Sequence, residues 1–323
     1  MLKEVNIYVG ALGYGLFRSP DGGTTWKRSG GDLARESRVW SLAVHPKEPH
    51  IIYAGAEDGI YRSDDQGATF NRLSSPMNSI DVWKVAIDPE TPETIFAGTR
   101  PAAFYRSKDG GQQWELLPAV LAEECPTIDV TRVTGMAVDP TDHRVVWAGI
   151  EVDGLRRSLD GGDSWTRVTD PTSTDIHDLV ISTASPKSVI ATTPREAFAS
   201  TDGGESWQGL GLPDYFSTSY YCHGLAVKAD DPSVLFLGIG NTAAAESGGV
   251  YRSLDRGRTW RQMTLPVEPN STVYSFTTNA EDPDLILACT HMGQIFGTPD
   301  GGDTWVKLRR EFTQVYAVAW APN

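Results

Sequence analysis

The chain is poor in the features that usually announce a function. It has three cysteines, Cys125, Cys222 and Cys289, an odd number without metal-ligand spacing, so neither a disulfide framework nor a Cys-based zinc site is expected. No apolar run is long enough to cross a bilayer, and the opening MLKEVNIYVG lacks the basic start and sustained apolar stretch of a secretory signal. A soluble protein of the reducing cytoplasm, with unpaired thiols, is the expectation. Basic residues are in deficit, 28 Lys and Arg against 42 Asp and Glu, and the net charge of −14 argues against nucleic acid or an anionic membrane as partner. A phosphate-cradling loop is missing as well, since the recurrent Asp-Gly-Gly is followed by neither the Lys nor the helix that such a loop needs.

What the chain has in abundance is glycine, 32 residues, and much of it lies in one repeated phrase. The copies are Ser19–Trp26, Ser63–Phe70, Ser107–Trp114, Ser158–Trp165, Ser200–Trp207, Ser253–Trp260 and Thr298–Trp305. Each has an Asp, a Gly two residues later and an aromatic three beyond that. The Asp can fold its carboxylate onto the following N–H groups and the Gly can take positive φ, so each copy predicts a tight hairpin whose aromatic enters the next strand. Copies recur at intervals of about 42 to 53 residues, the spacing of propeller blades, and each unit reads as four short strands.

The order of strands predicts how the ring closes. The chain begins at a second strand, Asn6–Ala11, and the missing inner strand of that unit is found at the other end in Val315–Trp320. The fold class expected is all-β: one seven-bladed β-propeller over residues 1–323, with four-stranded antiparallel blades and a first blade completed by the C-terminal strand. The phrase resembles the Asp box (BNR repeat) of sialidase-like and sortilin-like propellers and of photosystem assembly factors. That resemblance implies the architecture and carries no activity, because Asp boxes occur in enzymes and non-enzymes alike.

The boxes share one face, and the long connections Leu116–Thr131, Gly209–Tyr220 and Asn241–Gly249 share the other, so function is expected at the mouth of the channel on that second face. Aligned inner strands place Trp40, Trp83, Thr134, His177, His223, Tyr274 and Tyr316 there. Strict alternation adds Arg38, Asp81, Arg132, Asp175 and Tyr221, and the ends of the second strands add Glu57, Arg100, Glu151 and His291, with Arg195 adjacent.

Three chemistries are open to this set. Glu151, His177, His223 and His291 could hold a divalent metal ion, or His177 and His223 could work as base and acid with Asp175 or Asp178 orienting a ring and Tyr274 beside them. Arg38, Arg100, Arg132 and Arg195 could grip an anion, while Trp40, Trp83, Tyr221 and Tyr316 could stack on a flat ligand. The arginines look like the carboxylate clamp of sialidases. Those enzymes, however, resemble six-bladed propellers with an Arg-Ile-Pro type segment that this chain lacks. Alternatively the arginines simply pair with Glu57, Asp81 and Glu151 on adjacent blades.

In the third chemistry Asp81, Asp175, Glu57 and Glu151 could supply the two carboxylates of a glycoside hydrolase. Xyloglucan-active endoglucanases are similar in repeat style but are built from two propellers, so this reading ranks lower. The expectation is an enzyme, a hydrolase or lyase, acting on a small anionic or aromatic molecule. The alternative is a non-catalytic scaffold that binds a protein.

Overall fold

In a computed structural model of the chain, seven sheets succeed one another around an axis as blades of a propeller; residues 2–125, 129–168, 173–212, 220–242 and 246–323 are described. Blade 1 pairs Asn6–Ala11, Gly15–Ser19 and Lys27–Arg28 with the C-terminal strand Val315–Ala321, which lies antiparallel to Asn6–Ala11 with Ile7 opposite Trp320. The ring therefore closes as the sequence order requires. Inner strands of blades 2 to 7 are Val39–Val44, Asp81–Ile87, Val133–Val138, Asp178–Ser182, Tyr221–Val227 and Val273–Thr277. Blade 2 gains a fifth strand, Gly30–Gly31, parallel to Thr69–Arg72. No helix among the described residues is long and apolar enough to cross a membrane.

Each box is held by its own polar side chains. In the first, Asp21 Oδ1 accepts the Thr25 N–H at 2.8 Å, Ser19 Oγ accepts the Gly23 N–H at 2.8 Å, and Trp26 Nε1 donates to Gly23 O at 3.0 Å. Gly23 has φ of +92°, a conformation that side chains resist. A second repeated device joins blades. The residue before the box Ser is Arg18, Arg62, Arg106, Arg157 or Arg252 in five blades, and its guanidinium reaches into the next blade's box to donate to the carbonyl of Gln66, Gly110, Gly161, Gly203 or Gly301. The core lies between blades, where rows such as Val39, Ile52, Ala54 and Tyr61 of blade 2 meet Tyr8 and Ala319 of blade 1. Backbones approach closely there: a Cβ on Gly55 would stand 2.4 Å from Val82 O, and one on Gly238 2.2 Å from Val273 O.

Connections on the face opposite the boxes are longer. The one before blade 4 forms a two-stranded ribbon, Glu124–Cys125 with Asp129–Val130. Residues 213–219 and 243–245 of the other two expected insertions lie outside the described residues. Cys222 and Cys289 are buried free thiols, and burial pushes Cys289 up to about 12.

Candidate functional site

Six of the seven inner strands carry a β-bulge at the mouth. The pairing register skips a residue between Val39 and Ser41, Val82 and Lys84, Val133 and Gly135, Cys222 and Leu225, Val273 and Ser275, and Val315 and Ala317. The residues set loose in this way include Trp40, Trp83, Thr134, His223, Tyr274 and Tyr316, and His177 immediately precedes the seventh inner strand. A bulge re-aims its side chain out of the pleat, so all seven aligned positions line one well at the axis. Arg132, Glu151 and Tyr221 line it too, as expected, but so do Lys84, Asp178 and Ser275, which strict alternation would have turned away.

The rings meet one another before they meet the lumen. His177, His223, Tyr274 and His291 form a stacked series, with centroid separations of 5.0, 3.5 and 4.8 Å and interplanar angles of 20°, 24° and 23°. Trp40 stacks on Trp83 at 4.2 Å, and the Arg132 guanidinium lies over the Trp83 ring, also 4.2 Å from its centroid. Tyr316 stands nearly perpendicular to both groups, 5.2 Å from Trp40 and 5.0 Å from Tyr274. A ring covered on both faces has only edges to offer. The expected stacking of a flat ligand on Trp83 therefore has no free face, and His223 and Tyr274 likewise present only edges. The well's cavity volume is about 40 Å³, room for a few waters.

The histidines are oriented by carbonyls. His177 Nδ1 lies 2.6 Å from Cys222 O and His223 Nδ1 3.0 Å from Tyr274 O. A carbonyl only accepts, so both Nδ1 atoms carry hydrogen; in the neutral rings Nε2 is the acceptor, and that of His177 takes the Tyr221 hydroxyl at 3.0 Å. Burial, then the His177 imidazole, holds His223 well below the usual histidine range, and burial keeps Tyr221 and Tyr274 protonated. Asp175 is 3.6 Å from His177 Nε2.

Glu151, His177, His223 and His291 do not converge as metal ligands. The rings stack face to face, Glu151 is ion-paired and hydrogen-bonded to Arg132, and both nitrogens of His291 are buried without a hydrogen-bond partner among the described residues. No group of three or more His, Cys, Asp or Glu among the described residues is arranged to hold a metal ion.

Nor do the arginines make a clamp. Arg132 is committed to Glu151, Arg38 lies 3.7 Å from Glu57, and Arg195 donates to Tyr220 O at 2.9 Å. Arg100 acts on Asp81 across the blade 3 sheet, favouring its charged form. Positive charge in the well is thus offset locally. Lys84 of blade 3 reaches Asp178 of blade 5 at 3.3 Å, and this ion pair closes the floor of the well. Below it the channel widens into an apolar funnel that includes Val85, Met136, Leu179, Leu225 and Phe276.

At the rim on the blade 2 and 3 side a different pattern appears. The Asp81 carboxylate accepts Trp40 Nε1 at 3.3 Å, and burial raises its pKa, opposed by the Trp40 bond and by Arg100 and assisted by the charge of Glu57. Glu57, 37% exposed, faces solvent beside Arg38.

With this geometry in view, the likeness to known proteins is informative. Residues 14–134 match the family model described as "Sortilin-Vps10: Sortilin, neurotensin receptor 3". The resemblance is to sortilin-like and sialidase-like propellers. A xyloglucanase of Paenibacillus sp is 26% identical over 267 residues, covering 77% of this chain and 23% of the relative. Among solved structures, the GH74 xyloglucanase from Xanthomonas campestris superposes with a TM-score of 0.67 at 20% identity, over 94% of this chain and 46% of that one. YCF48 from Cyanidioschyzon merolae superposes with a TM-score of 0.63 at 14% identity, over 88% of this chain and 94% of that one. The chain spans about a quarter of the length of the curated relatives it matches. At these identities the structural likeness establishes the propeller fold.

Proposed function

We propose that this propeller is a hydrolase of glycosidic bonds, working at the rim of the axial mouth with Asp81 as general acid and Glu57 as the second carboxyl group. The observation that carries the reading is the unlike setting of two carboxyl groups at the rim, Asp81 accepting Trp40 Nε1 at 3.3 Å and Glu57 open to solvent. Asp81 is half-buried and held toward its protonated form, while Glu57 is solvated beside a guanidinium, the division of labour that glycoside cleavage uses. Support also comes from the relatives named xyloglucanases and from a well whose compensated charges and ring edges suit a neutral, hydroxyl-rich substrate better than a small anion.

The test is release of reducing ends from xyloglucan and from short β-glucan oligosaccharides. Asp81→Asn should lower kcat by about 10²- to 10⁴-fold, the usual contribution of a general acid, while melting like the parent. Because the working form of Asp81 is protonated and its pKa is raised, the wild-type rate should fall as pH rises through that raised value. An unchanged rate in Asp81→Asn would refute the assignment. Failure of the wild type on every glycan would favour a second reading, a protein-binding scaffold. The narrowness of the well and the likeness to the structure titled "YCF48 bound to D1 peptide", with a TM-score of 0.58, speak for it.

A further inference from the structure

The arginine device that joins blades is missing at two interfaces, and the two gaps are treated differently. Between blades 7 and 1 the arginine is replaced by Gly297, and Leu2 covers the space: a Cβ on Gly297 would stand 2.6 Å from Leu2 Cδ1. Between blades 5 and 6 the position is Ala199, and the space remains a cleft of about 540 Å³, large enough for a small organic ligand.

The box facing that cleft also departs from the others. Where six boxes have Gly or Gln, the sixth has Arg256, held at φ of +65° in a conformation that ordinarily favours glycine. Two residues on, boxes 4, 5 and 7 have Asp163, Glu205 and Asp303, each ion-paired to the arginine of the preceding blade. Box 6 has Arg258 instead. Loss of the arginine from one blade is therefore matched by reversal of charge in the next.

The cleft wall carries Arg256 and Arg258, the hydroxyl residues Ser188, Thr201 and Ser206, and Trp207, with no Asp or Glu among the lining residues. Arg256 donates to Ser185 O, and neither arginine has an ion-pair partner among the described residues. In a chain of net charge −14 this is a cleft lined by two guanidinium groups, the chemistry that recognises oxyanions, although Asp202 takes the Ser206 hydroxyl and Glu196 lies beside Gly209.

We propose that the blade 5–blade 6 cleft is a binding site for an oxyanion, a phosphate or sulfate ester of about monosaccharide size, which neutralises Arg256 and Arg258 where other interfaces hold an internal ion pair. The site lies on the box side of the ring, away from the axial mouth, and does not depend on the glycosidase reading.

Calorimetric titration of the whole chain with inorganic phosphate, inorganic sulfate and glucose 6-phosphate tests it. Wild type should bind at low ionic strength. Arg258→Glu, a change at an exposed position, should weaken binding at least tenfold, since it replaces a guanidinium contact by a like charge. The double variant Ala199→Arg, Arg258→Asp rebuilds the clamp found elsewhere; it should melt no lower than the parent and bind no anion. Tighter binding of glucose 6-phosphate than of phosphate assigns the site to a sugar-borne group, and equal binding assigns it to the free oxyanion; either order supports an oxyanion cleft. Absence of binding by wild type, or equal affinity in Arg258→Glu, overturns the proposal. Asp81→Asn should bind the anion as wild type does, which separates failure here from failure of the glycosidase assignment.

Discussion

Replacing Arg106 by Ala measures what the repeated interblade arginine contributes. Its side chain is 4% exposed and serves three acceptors in two blades: Glu115 through Nε at 2.8 Å, Asp163 through Nη2 at 2.6 Å and the Gly161 carbonyl through Nη1. Glu115 and Asp163 are themselves more than half exposed, so on truncation they recover hydration, and the loss is confined to the bonds and the packed stem. Bonds to a charged group are worth about 1.5–3 kcal/mol each and are not additive, and each buried methylene adds about 0.8 kcal/mol. Because the two carboxylates regain water, one net bond's worth and the two methylenes beyond Cβ together give about 3–4.5 kcal/mol. With an unfolding entropy of about 2.1 cal/mol/K per residue, the 323-residue chain should melt about 5 °C lower. Differential scanning calorimetry on Arg106→Ala and Arg144→Ala makes the comparison. Arg144 holds Asp142 with an equally good fork, at 2.9 and 2.8 Å, but is 75% exposed, and its loss should leave Tm within experimental scatter. Equal shifts in the two variants would refute the view that burial, rather than bond geometry, decides what the arginine is worth.

Gly238→Ala should destabilise by about 1–3 kcal/mol, because the new Cβ meets Val273 O at 2.2 Å, whereas Gly30→Ala, with nothing nearer than 3.8 Å, should be close to neutral in the same urea titration. The box aspartates predict acid sensitivity. The Ser206 hydroxyl and N–H hold Asp202 down at about 2 from an ordinary 3.8, and the Ser164 hydroxyl and N–H depress Asp160 likewise. A depressed carboxylate contributes stability that is complete above its unfolded value and disappears as pH falls through the folded one. The Tm gap between wild type and Asp202→Asn should therefore narrow from pH 4 to pH 2, and a gap independent of pH would contradict the assignment.

The architecture was legible because the Asp box is a local device: Asp, Ser and Gly satisfy their own turn, so seven copies mark seven hairpins whatever surrounds them. Closure by Val315–Ala321 was legible for the same reason, since a repeat begun at its second strand must find its first elsewhere. The mouth positions survived alignment, but their environment did not follow from it. Alternation along a strand predicts one side, and the bulges break that alternation where the well is built, which is why Lys84 and Ser275 were missed. The interblade arginines were visible as a recurrent Arg before the box Ser. Their role needed the neighbouring blade, as did the significance of Ala199.

Seven inner strands converging on one axis leave large side chains little choice but to stand edge-on and lean against their neighbours. That arrangement consumes the faces of Trp83, His223 and Tyr274 and strips water from them, so the imidazole is driven down and the phenol up, both toward neutrality. Charge persists near the axis in pairs, Lys84 with Asp178 and Arg132 with Glu151, because each partner offsets the other's desolvation. Uncompensated ionic chemistry is consequently displaced to places where the packing loosens: outward to the rim, where Asp81 and Glu57 sit in unlike surroundings, and sideways to the blade 5–blade 6 interface, where an arginine has been lost and two others face the gap. The histidines that make the sequence look catalytic thus form the wall, and the carboxyl pair of the proposed glycosidase reaction lies beside them.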